Sequence, residues 1–74
     1  MAHAPRQVYN ARAGVRRLLE GEQGFVGTGI TLRDEGFAVL VLVEAADCAA
    51  ARKAPEEWHG VRVRVEVSGT PRAL

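Results

Sequence analysis

Near the N-terminus, apolar side chains recur at the spacing of a helix that buries one face, at Val8, Ala11, Val15 and Leu18. This spacing predicts an amphipathic helix over residues 5–21, with Gly21 as its C-terminal stop. Gly14 interrupts the helical segment and weakens it by about 1 kcal/mol relative to alanine. It therefore marks either close packing against another element or a weak point of the helix.

The next two apolar segments, Phe25–Leu32 and Phe37–Val43, predict a β-hairpin with a turn at residues 33–36. Alternate side chains of a strand share one face. The predicted core face, under the first helix, therefore consists of four cross-strand pairs: Leu32 with Phe37, Ile30 with Val39, Thr28 with Val41, and Val26 with Val43.

The remaining segments predict a short helix, a loop and a third strand. Residues 47–54 favour a helix with Asp47 as its N-cap. Residues 55–60 are expected to form a loop with Trp58 against the core. The strand Val61–Val67 alternates strictly, which predicts that its four valines point inward and that three charged side chains point outward, namely Arg62, Arg64 and Glu66.

The predicted order α-β-β-α-β indicates one α+β domain over residues 1–74. Its sheet is expected to be mixed and three-stranded, with the second and third strands parallel and the helices mainly on one face. Residues 68–74 are expected to be extended. A chain of 74 residues buries only about 60% of the surface that its unfolded form exposes, which favours completion by a partner.

Composition and charge exclude several classes of protein. The net charge of +1 argues against an overall polycation built for nucleic acid. A single cysteine excludes an internal disulfide framework and suits a reducing compartment. The longest apolar segment, Phe37–Val43, is far shorter than the about 20 residues that span a bilayer, and the first residues lack the apolar core of a signal peptide. We therefore expect a cytoplasmic protein without a membrane segment.

The candidate chemical groups do not form a recognisable active site. No spacing of histidine and cysteine fits a zinc site, so we predict no metal and no cofactor. Cys48 and His59 are a conceivable nucleophile and base, but no orienting third group is evident. The glycines of residues 21–29 follow a helix and enter a strand, the reverse of a phosphate-binding loop. The chain is therefore not expected to be an enzyme.

Nucleic-acid binding is a weaker alternative that depends on exposed arginines. Arg12, Arg16 and Arg17 lie on the first predicted helix, while Arg62 and Arg64 lie on the last strand. The outward face of the predicted sheet carries no aromatic side chains on which bases could stack. A solvated arginine face is the simpler interpretation.

Several short motifs resemble a known family. They are Phe25–Ile30, the apolar strand ending at Val43 and Glu44, the segment from Pro55 to Val65, and Ser68–Leu74. Together, over about residues 15–74, they resemble the small domain found N-terminal to some bacterial trypsin-like serine peptidases. The catalytic serine, histidine and aspartate of those peptidases have no counterpart in these motifs. The resemblance implies an accessory or pro-region-like module, and it transfers no binding residues.

We therefore predict a non-catalytic protein-interaction or accessory module. Its expected partner is a larger protein, with a serine peptidase as one candidate. A homo-oligomeric structural protein is the main alternative. The predicted interface uses the outward face of the sheet and the tail: Gly27, Gly29, Leu40, Leu42, Arg62, Arg64, Thr70, Pro71, Arg72 and Leu74.

Overall fold

A computed structural model describes residues 5–33 and 36–68 of the chain, and it has an α+β fold. Five of its six elements match the predicted ones to within two residues at each end. In chain order the elements are α1 (Arg6–Leu19), β1 (Phe25–Arg33), β2 (Gly36–Val43), α2 (Ala49–Lys53), β3 (Glu57–Trp58) and β4 (Val61–Val67).

The described strands form a four-stranded mixed sheet in the order β1-β2-β4-β3, so the prediction of three strands is wrong. The missed strand, β3, lies in the segment expected to be a loop. His59 and Gly60 both have positive φ, 50° and 86°, as in the tight turns that join antiparallel strands. This turn pairs Glu57 and Trp58 with the first two residues of β4. The parallel pairing of β2 with β4 is confirmed.

The core lies between the two helices and one face of the sheet, here called the inner face. Val15 and Leu19 of α1 are completely buried, as are three valines of β2. Ala50 of α2 belongs to the same hydrophobic cluster, so both helices pack on the inner face. Burial at this one layer explains the amphipathic spacing of α1. The β2 residues in the cluster are Val39, Val41 and Val43.

The predicted hairpin register is confirmed for three of its four pairs and wrong for the fourth. Val43 pairs with Phe25 instead of Val26, because the register shifts between Phe25 and Gly27. Such a bulge inserts one extra residue and changes which side chain reaches the core. Phe25 therefore packs against the core cluster, whereas Val26 is 50% exposed.

An ion pair shows that the sheet bends. In the sheet register, Arg33 lies opposite Gly36 at one end of β2, and Glu66 lies opposite Leu42 near the other end. In a flat sheet these two rows would lie about 20 Å apart. Yet Nη2 of Arg33 lies 2.8 Å from Oε2 of Glu66. The sheet therefore curves along this diagonal toward the face opposite the helices, here called the outer face.

The bend accounts for three further errors in the predicted core. Leu32, at one end of the diagonal, is 58% exposed. Val65 and Val67, at the other end, are 39% and 49% exposed. All three were expected to point into the core. The ends of the diagonal turn away from α1. The side chains there lie on the inner face, as the alternation predicts, but neither described helix covers them.

The second helix is tied to the chain that precedes β1. The backbone N–H of Ala50 donates to the carbonyl of Gln23 over 3.0 Å, and Lys53 pairs with Glu22 over 2.8 Å. The prediction of Asp47 as the N-cap is wrong. The helix begins one residue later, with Cys48 in the N-cap position and no side-chain capping bond.

Gly14 marks a close contact with Trp58. A Cβ atom at position 14 would lie 2.7 Å from three atoms of the indole ring, which is closer than real contacts allow. The ring packs against the backbone of α1 and is partly buried against the core, as the sequence predicted for Trp58. The missing side chain of Gly14 therefore provides the space that the indole occupies.

Gly14→Ala is expected to lower the free energy of unfolding by about 1–3 kcal/mol, because overpacking outweighs the higher helix propensity of alanine. Gly29→Ala is the matched control, since a Cβ there meets nothing within 4 Å. It should change stability by less than about 0.5 kcal/mol. Urea unfolding of both variants measures the difference. An increase in stability for Gly14→Ala would contradict the contact.

Candidate functional site

The structure describes six of the ten predicted interface residues, and it brings five of them together on the outer face of the sheet. Paired residues of neighbouring strands share a face, so the register defines two rows across three strands. One row consists of Gly29, Leu40 and Arg64, and the next consists of Gly27, Leu42 and Glu66. The two leucines are half-buried, and a Cβ at either glycine would meet nothing within 4 Å.

The other predicted interface residues are placed differently. Arg62 is exposed and pairs with Glu57 of β3, away from the two glycines. The ion pair between Arg33 and Glu66 crosses the outer face from β1 to β4. Thr70, Pro71, Arg72 and Leu74 lie outside the described residues.

The backbone of β1 presents unpaired hydrogen-bonding groups along one side. The N–H of Glu44 donates to Gly24 over 2.8 Å, whereas the carbonyl of Val43 accepts from Ser68 over 2.8 Å. Even-numbered residues of β2 therefore bond toward β1, and odd-numbered ones toward β4. By the same alternation, the backbone groups that point away from β2 belong to Thr28, Ile30 and Leu32. No described strand pairs with that side of β1.

This open edge of β1 has little of the usual protection against other strands beyond the bulge at its start and Arg33 at its end. Natural edge strands are blunted by charges, proline or short length. β1 has nine residues, and the eight from Phe25 to Leu32 include no charged residue and no proline. Val26 and Leu32, near its two ends, are the two most exposed large aliphatic side chains of the described residues.

The edge on the other side of the sheet is better protected. The short β3 covers the first two residues of β4, and the N–H of Val63 donates to the carbonyl of Glu56 over 3.0 Å. Beyond that point β4 carries two charged residues, Arg64 and Glu66. Among the described strands, β1 is therefore the edge most open to strand addition.

The candidate nucleic-acid residues do not form one surface. Arg12, Arg16 and Arg17 are exposed on α1, which packs on the inner face, and Arg16 lies 4.0 Å from Glu20. The arginines of β4 alternate with inward valines and so belong to the outer face. Nucleic-acid binding by the helix therefore remains a prediction without support from the strand arginines.

The candidate catalytic pair is not assembled in the described structure. Cys48 and His59 line two separate depressions. Within the glycine-rich segment before β1, Gly24 has a packing role, since a Cβ there would lie 2.5 Å from Sγ of Cys48. Within residues 5–33 and 36–68, no three metal-binding side chains cluster. Neither described helix has the length and hydropathy of a membrane-spanning helix.

Sequence reasoning missed the edge of β1 as a site because strand order was unknown. A signal was present, namely a long apolar strand without charge or proline at the start of the sheet. The exposure of this edge also depends on the position of α1 and on the bulge at Val26, and hydrophobic alternation alone predicts neither.

Hydrogen exchange should show alternating protection along β1. The amides of Gly29 and Thr31 bond to β2 and are expected to exchange more slowly than those of Thr28, Ile30 and Leu32, by a factor on the order of ten. Residue-resolved exchange by NMR in a dilute sample measures this. Equal protection of the two sets in a monomer would contradict the open edge.

Comparisons of the chain with protein-family models, with curated proteins and with solved structures give no match. The resemblance to the domain that precedes trypsin-like peptidases therefore stays a prediction.

Proposed function

We propose that this chain is a non-catalytic protein-interaction module that accepts an extended segment of a partner protein along the edge of β1. The observation that carries the proposal is the unpaired side of this nine-residue strand, which is flanked by two exposed apolar side chains. Strand addition supplies main-chain hydrogen bonds for affinity and side-chain contacts at alternate positions for specificity.

The inner face determines the chemistry of the added segment. Next to the edge, Ile30 is partly buried against the core and Leu32 is 58% exposed. A partner strand with apolar side chains at alternate positions would cover both. On the outer face the same strand meets Gly27 and Gly29, where an added Cβ atom would contact nothing within 4 Å. A segment from a serine peptidase is one candidate, through the sequence resemblance.

A homo-oligomer is the second candidate, and one observation favours it. Val26 and Leu32 each lie three residues from Gly29. Antiparallel pairing of two β1 strands about Gly29 would place each Leu32 opposite Val26 of the other copy. Both exposed side chains would then be covered without any like charges meeting.

Site-specific photo-crosslinking in the native cell tests the proposal. A photoreactive phenylalanine analogue at Leu32 is expected to crosslink a partner polypeptide. The same analogue at Tyr9, which is 52% exposed on α1, is the matched control and should give background only. Mass spectrometry of the crosslinked peptide identifies either another protein or a second copy.

Thr28→Pro sharpens the test, because proline removes an N–H that points to the open side and leaves the ladder to β2 intact. The variant should remain folded, as checked by circular dichroism, and should reduce the crosslink at Leu32 at least several-fold. Crosslinking at Leu32 no stronger than at Tyr9 would overturn the proposal, as would a crosslink that Thr28→Pro leaves unchanged.

A further inference from the structure

A groove distinct from the edge of β1 lies between the first half of α1 and the turn from β3 to β4. Its volume is about 480 Å³, within the range of about 300–1,000 Å³ typical of small-ligand sites. We call it the Trp58 groove. It is lined by Arg6, Gln7, Asn10, Ala11, Trp58 and His59.

The indole of Trp58 gives the groove a fixed planar surface. Its ring packs against Gly14 so closely that even a methyl group there would meet three ring atoms at 2.7 Å. The ring of His59 lies beside it, with ring centroids 5.3 Å apart and a tilt of 56°. A planar apolar ligand therefore meets a preformed aromatic surface, which lowers the entropic cost of binding.

The turn that carries both rings is fastened to α1. His59 has a left-handed backbone, with φ of 50°, which is uncommon for a residue with a side chain. Its carbonyl accepts a hydrogen bond from Nε2 of Gln7 over 3.1 Å. The side chain of Gln7 thus links the two walls of the groove.

The charge of the groove favours an anion. Arg6 lines it and forms no ion pair with any described residue, and no carboxylate lines it. The first turn of α1 contains no acidic residue. The carboxylate of Glu57 lines two neighbouring depressions, one with Glu56 and Arg62 and one that shares Gln7 with the groove, but it does not line the groove itself. Arg6 therefore lies in the same groove as an aromatic surface, and it has no ion-pair partner within residues 5–33 and 36–68.

We propose that the Trp58 groove binds an aromatic carboxylate, with the ring against the indole of Trp58 and the carboxylate on the guanidinium of Arg6. Arginine suits this role because its planar fork matches the two carboxylate oxygens. The amide of Asn10 adds a polar group within the same groove. The same chemistry occurs in a free aromatic acid and in the C-terminus of a peptide that ends in an aromatic residue.

Fluorescence of Trp58 provides a direct readout, because it is the only tryptophan of the chain. With excitation that selects tryptophan, titration with N-acetyl-phenylalanine is expected to change the emission saturably. N-acetyl-phenylalanine amide lacks the charge and should bind at least about fivefold more weakly. A peptide of four residues ending in phenylalanine distinguishes the sources, since a site for peptide C-termini binds it more tightly than the single residue.

Two protein variants provide the matched comparison. Arg6→Ala should weaken binding of the acid at least about fivefold and leave binding of the amide unchanged. Arg12→Ala removes an exposed arginine of the same helix outside the groove and should leave both unchanged. The proposal is overturned if the acid causes no saturable change at millimolar concentration, if the amide binds equally well, or if the two arginine variants behave alike.

Discussion

The contact of α1 with the three buried valines of β2 is the interaction on which the rest of the structure depends. Val15 and Leu19 of the helix lie in the same cluster as Val39, Val41 and Val43, and all five are completely buried. At about 25 cal/mol per Å² of buried apolar surface, such a layer supplies most of the stabilisation available to a small chain. The strands on either side of β2 are positioned by pairing with it.

The two described helices, of 14 and 5 residues, both pack on the inner face of the four-stranded sheet. The described structure buries the middle of the inner face and leaves the ends of one diagonal exposed. The open side of β1 and the groove beside Trp58 are two separate accessible surfaces of this arrangement. One presents backbone groups and the other presents side chains, so they suit ligands of different kinds.

Local sequence patterns predicted the elements well because each has a clear periodicity or turn signal. The amphipathic spacing predicted α1, and the turn expected at residues 33–36 predicted the correct register from Leu32 to Thr28. The bulge was not predictable, because Phe25 and Val26 are both apolar and either satisfies the alternation. β3 was missed because its two residues show no periodicity and depend on the backbone of His59.

The candidate sites were less predictable than the elements, because they depend on how distant parts of the chain come together. Exposure of Leu32 and Val67 depends on the curvature of the sheet, which a periodic pattern does not encode. The groove brings together Arg6 and Trp58, which are far apart in sequence. Gly14 was the one local signal for the position of Trp58, since a glycine that weakens a helix can mark close packing against another element.

Methyl-resolved NMR tests the central claim most directly. The account predicts nuclear Overhauser contacts from the methyl groups of Val15 and Leu19 to those of Val39, Val41 and Val43. It predicts none from the helix to Leu40 and Leu42, whose side chains lie on the outer face. Contacts from α1 to these two leucines, or their absence at the three valines, would contradict the account.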